Sequence, residues 1–153
     1  MFRNLLTRLF TEDQDARRID TGDAELAIAA LLVRVARADD RYDPVEQQHI
    51  EQILARRDGL TAQQAAERRA AAEMIEAEAP DTVRFTRTIK DRIALEDRCD
   101  VIAALWEIAY ADEARGADEE SMIRLVAGLL GINDRDSALA RQRVLDGRPG
   151  DKA

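Results

Sequence analysis

The chain has 153 residues, enough for one domain with a real core. Hydrophobic residues make up 46% and aromatic ones only 4%, and with 7 Gly and 3 Pro this mixture favours packed helices over sheets. The net charge of -8 argues against nucleic-acid binding, because a phosphate backbone is held by positive charge.

Three regions are expected: an amphipathic helix and linker over residues 1–19, a helical domain over 20–146, and a disordered tail over 147–153. In the opening "MFRNLLTRLF", Phe2, Leu5, Leu6, Leu9 and Phe10 share one helical face. Arg3 and Arg8 interrupt any signal-peptide core. This helix is expected to dock on the domain, with a membrane surface or a partner as the alternative.

A second helix is predicted from about Asp23 to Ala38, with Leu26, Ile28, Leu31, Leu32, Val35 and Ala36 apolar. The third opens at "DPVE": Asp43 is the N-cap, Pro44 the first helical residue, and Glu46 stands where a capping box places Glu. Val45, Ile50, Ile53 and Leu54 are expected to continue its apolar side, and Gly59 to end it in the left-handed conformation. Thr61 and Gln64 form a second capping box, opening a helix that runs to about Ala79 and stops at Pro80.

Asp81 is expected to cap a fifth helix with Val83, Phe85, Ile89 and Ile93 inward, and Arg84, Arg87 and Lys90 along one solvated side. A sixth covers about Leu95 to Ala111, with Val101, Ile102, Leu105, Trp106 and Ile108 in the core. A seventh runs from about Ala117 to Leu130 and stops at Gly131; Asn133 caps the last. Nothing alternates with period two, so no strand is predicted. No apolar run reaches membrane-spanning length, so no transmembrane segment is expected. The single cysteine, Cys99, cannot form an intramolecular disulfide; it suits a reducing, cytoplasmic compartment and a place in the core.

Two stretches repeat. "ARADDRYDPVE" (36–46) and "AYADEARGADE" (109–119) both open on Ala-x-Ala-Asp-acid and close on a Glu seven residues after the first Asp. The offset of 73 residues aligns Val35 with Ile108, Asp39 with Asp112, Glu46 with Glu119 and Ile50 with Ile123, as an internal duplication of helix pairs would. Residues 39–47 carry -3 and residues 112–120 carry -4, so these two junctions hold nearly all the net charge.

Capping accounts for Asp43 and Glu46. It does not account for Asp39 and Asp112 at helix C-ends, where the macrodipole disfavours an anion. Nor does it account for Glu119, whose junction has Gly116 at the cap position. A bound divalent cation is one candidate for what the acids serve; solvated caps are the other. The spacing is not that of an EF-hand, since the third, seventh and twelfth positions from Asp39 are Arg41, Val45 and Ile50. Glu46 and His49 form the Glu-x-x-His pair of di-iron bundles, but the second copy has Met122 in place of the histidine. A minimal metal-dependent enzyme using Glu46 and His49 is therefore the rival to a non-catalytic module. No Gly-rich phosphate loop, paired Cys or nucleophilic triad independent of His49 is present.

The doubled "ADDRYDPVE" and "ADEARGADE", with the following "LLGI", resemble the tellurite-resistance protein B (TerB) family over about Glu25 to Leu139. The N-terminal domain of the membrane-anchored DnaJ-like co-chaperone has a similar plan. The family's Ala-Asp-Gly here has Asp40 and Glu113 in place of Gly. The resemblance implies an all-α bundle of seven or eight helices with a pseudo-repeat. It also implies a usually non-enzymatic role in bacterial stress or tellurite-resistance systems, binding a metal ion or a protein partner through the acidic loops. By that resemblance Asp39 and Glu46 match the first motif and Asp112 and Glu119 the second, and with the adjoining acids Asp40 and Glu113 they make up the expected metal-ligating set.

Overall fold

The computed structural model describes residues 21–38, 42–79, 81–111 and 117–147. Seven helices lie among these residues: α1 (Thr21–Arg37), α2 (Pro44–Asp58), α3 (Ala62–Glu78), α4 (Val83–Arg92), α5 (Leu95–Ala111), α6 (Ala117–Leu129) and α7 (Asp134–Asp146). There is no strand among the described residues. None of the described helices is long and apolar enough to cross a membrane. The expected N-terminal helix, the stop at Pro80 and the tail beyond Gly147 lie outside the described residues.

The local signals act where the sequence places them. Asp43 has extended backbone and its carboxylate accepts from the Glu46 amide at 3.0 Å, with Pro44 opening α2. Gly59 ends α2 at φ 65°, and Gly131 follows α6 at φ 77°. These left-handed values are ones a Cβ disfavours. Thr61 and Gln64 close the reciprocal box at the start of α3. Asn133 accepts from the Asp136 amide to cap α7. At α4 the cap position falls on Thr82, one residue later than expected, and Asp81 instead accepts from the Val83 amide at 3.0 Å.

Helix α1 is the centre of the fold. Its stretch "AELAIAALLVRVA" is apolar nearly all round, and Ala24, Leu26 to Val33, Val35 and Ala36 are buried. A helix without a polar face must be surrounded. It packs against α3, α4 and α5, with smaller contacts to α2 and α6. Each buried Leu, Ile or Val there contributes roughly 1.5–3 kcal/mol by leaving water. Helix α5 is its counterpart: Val101, Ile102, Leu105, Trp106 and Ile108 are buried, and α7 lies along it as α3 lies along α1. The helix pairs α1–α2 and α5–α6 read from the sequence are each joined by a third helix, α3 and α7, with α4 between the copies.

Two expected core positions are on the surface. Val45 is 57% exposed, in the first turn of α2, and Val83 is 38% exposed, in the first turn of α4. Cys99 is half-buried against the core rather than within it.

Candidate functional site

Each acidic junction leads into a helix whose first turn carries a buried glutamate. Glu46 is 4% exposed and Glu119 is fully buried, one on α2 and one on α6, at equivalent positions of the two copies. Of the neighbouring acids, Asp43 and Asp118 are exposed and Glu120 is half-buried. The Glu46 carboxylate does not turn back to the Asp43 amide, so only half of the expected capping box forms at α2. Asp39, Asp40, Asp112 and Glu113 lie outside the described residues. Among the described residues, no three His, Cys, Asp or Glu side chains gather as a metal-binding cluster would. His49, one turn after Glu46, is half-buried with an enclosed Nδ1 that no described residue hydrogen-bonds.

The first junction is framed by an ion-pair shell that joins the end of α1 to α3. Glu76 is buried on α3 and accepts from Arg34 Nε at 2.9 Å and Arg37 at 2.5 Å. Arg34 also donates to the Glu76 and Ala79 carbonyls at the C-terminal end of α3. The Arg37 guanidinium lies 4.8 Å over the Tyr42 ring. Tyr42 donates to Glu73, which also accepts from Gln47 at 3.0 Å and Arg69 at 2.9 Å. Burial, the bond to Glu73 and the Glu73 charge push the Tyr42 hydroxyl well above its usual range. Burial works against the Arg69 charge, but Glu51 and Glu73 outweigh it and hold the guanidinium more firmly protonated.

A second cluster lies at the opposite end of α1. The Glu25 carboxyl hydrogen-bonds Asp58, the last residue of α2. Burial, that bond and the Asp58 charge raise Glu25 from 4.5 to about 7, against the lowering influence of Arg57 and Arg68. Both carboxyls line a cleft of about 730 Å³ whose walls include Ile53, Arg92, Asp97 and Glu107.

Sequence reasoning missed Glu76 and the Glu25–Asp58 pair. Glu76 had a signal: it extends the buried row Ala65, Ala72 and Ile75 of α3, where an acid needs a cationic partner. Glu25 had none, since its partner is 33 residues away and met only through packing.

The molecule is therefore a doubled three-helix module with a buried glutamate behind an acidic junction in each copy. Comparison with protein-family models matches residues 25–142 to the family described as tellurite resistance protein TerB, and the chain belongs to that family. Searches of curated proteins and of solved structures found no match.

Proposed function

We propose that this chain is a non-catalytic, cytoplasmic module of a bacterial stress or tellurite-resistance system that binds a divalent cation through its two acidic junctions and engages a protein partner beside them. The observation that carries this reading is the paired burial of Glu46 and Glu119. A carboxylate held out of bulk water attracts a cation more strongly than a solvated one, and one stands at the equivalent position of each copy, where a cation held with the loop acids would meet it. The donor set suits the role: carboxylate oxygens are hard ligands, matched to calcium, magnesium or manganese rather than to a thiolate-seeking ion. Glu46 would hold the ion with Asp39 and Asp40, and Glu119 with Asp112 and Glu113. The bound ion would supply charge and loop order.

Val45, exposed between Asp43 and Glu46, offers an apolar anchor for a protein partner at the first junction. It also favours the second reading, a metal-free interaction domain resembling the N-terminal domain of the DnaJ-like co-chaperone. No reaction is assigned to Glu46 and His49, because Met122 stands in the histidine's place in the second copy.

Thermal melts with calcium, magnesium, manganese or zinc test the cation. One ion at a hundred times its Kd should stabilise by about 2.7 kcal/mol, raising Tm by roughly 5–10 °C for a domain of this size. The double variant Asp39→Asn with Asp112→Asn should lose that rise. No shift for any ion, or an equal shift in the variant, would overturn the reading in favour of the metal-free domain.

A further inference from the structure

The cleft beside Glu25 is a groove between two helices. Helix α2 forms one wall through Ile53 and Arg56, and α5 the other through Asp97, Asp100 and Glu107. From Asp97 to Glu107 the α5 wall runs about 15 Å, the length of a helix of about ten residues. Ile53 and Ala104 are buried at its floor, and Ile93 and Ala103 are half-buried along it. Most of its charges are already spent. Arg56 pairs with Glu107 from α2 to α5, Arg57 lies 3.8 Å from the Asp58 carboxylate, and Arg92 is engaged as well. Asp58 also accepts from Arg68 at 2.7 Å and meets Glu25. Asp97 and Asp100 remain. One turn apart on α5, they are exposed and make no side-chain hydrogen bond or ion pair among the described residues.

The chain itself carries a segment that fits this groove. Residues 1–10 place Phe2, Leu5, Leu6, Leu9 and Phe10 on one helical face, and their charged side chains are Arg3 and Arg8, with no acid among them. An apolar stripe with basic neighbours complements an apolar floor beside two unspent carboxylates. The tether also reaches. Helix α1 begins at Thr21, Glu25 one turn later lines the groove, and residues 11–20 can span up to about 33–36 Å. A tether of that length holds the segment at an effective concentration on the order of millimolar, an advantage that no free helix has.

We propose that residues 1–10 fold back as a helix seated in the α2–α5 groove, with the Phe and Leu face on Ile53, Ile93, Ala103 and Ala104 and the arginines paired with Asp97 and Asp100. The segment is then a strap over the groove, which a partner must displace to reach it. The groove uses none of the acids of the proposed cation site, so the two readings stand or fall separately.

Hydrogen exchange of the full chain, followed by mass spectrometry in a chelating buffer that removes divalent ions, reads the seat directly. Backbone amides of residues 3–10 should exchange about tenfold or more slowly than the same sequence in a free peptide. Asp97→Lys with Asp100→Lys should bring them to within about twofold of the free rate, with the protection of α1 unchanged. Arg3→Glu with Arg8→Glu should do the same, and serves if the α5 variant misfolds. All four changes together should restore the protection, which a general loss of stability would not. Free-peptide rates in the wild-type chain, protection undiminished in a folded variant, or no recovery in the folded fourfold variant would overturn the proposal. So would protection that falls on dilution, since the groove would then hold the segment of a second copy. Protection that appears only with anionic phospholipid vesicles would overturn it as well, since the segment would then lie on a membrane.

Discussion

Replacing Glu25 by Gln isolates one proton. In the folded chain Glu25 hydrogen-bonds Asp58 and takes up its proton at about 7 rather than at 4.5. A group whose folded value is raised contributes stability that is complete below its unfolded value and is lost as pH rises through the folded one. The window here runs from about 4.5 to about 7. Arg57 and Arg68 face the pair and lower Glu25; Arg56, Arg92, Asp97, Asp100 and Glu107 share its cleft. The interval is equivalent to about 3 kcal/mol at full strength, and solvent screening of a side chain bordering an open cleft reduces it to about 1.5 kcal/mol. Glutamine keeps the neutral shape and can donate to Asp58 but cannot ionise. Wild type and Glu25→Gln should therefore be nearly equal in urea at pH 5. At pH 8 the variant should be more stable by about 1.5 kcal/mol, roughly 3–6 °C in Tm. Parallel stability curves for the two proteins between pH 5 and pH 8 would refute the reasoning.

Two further substitutions probe the scaffold. Glu76→Ala removes the acid shared by Arg34 and Arg37 and leaves partly buried guanidiniums uncompensated, so the urea midpoint should fall by the equivalent of about 3 kcal/mol. Gly59→Ala places a Cβ at φ 65° with no atom within 4 Å of it, so its cost is backbone conformation alone, about 1 kcal/mol by chemical denaturation.

Reading the candidate site from sequence succeeded where it relied on internal comparison. The 73-residue offset brought Glu46 and Glu119 into correspondence, and the structure buries both. Capping alone would have dismissed Glu46, since Asp43 and Pro44 explain the start of α2 without it. The same comparison stopped short of the third helices, because the Ala-rich α3 and the polar α7 share little sequence. Their equivalence rests on lying along α1 and α5 in the same way.

By itself the sequence determined the helices and their ends. Caps such as Asp43, Thr61 and Asn133 and the left-handed Gly59 and Gly131 act across three or four residues, so their chemistry is complete within the local chain. It also determined that a wide face of α1 would be buried, because Leu26, Ile28, Leu31, Leu32, Val35 and Ala36 recur at helical spacing. Only the tertiary structure decided which charges meet. Arg34 and Arg37 reach Glu76 across about forty residues of chain, Glu25 meets Asp58 across 33, and Arg124 faces an open seam between α6 and α7 where its first-copy counterpart Glu51 pairs with Arg69. Val45 and Val83, apolar yet exposed, follow the same rule. Composition says that a side chain prefers burial, but only the placement of neighbouring helices says whether anything is there to bury it.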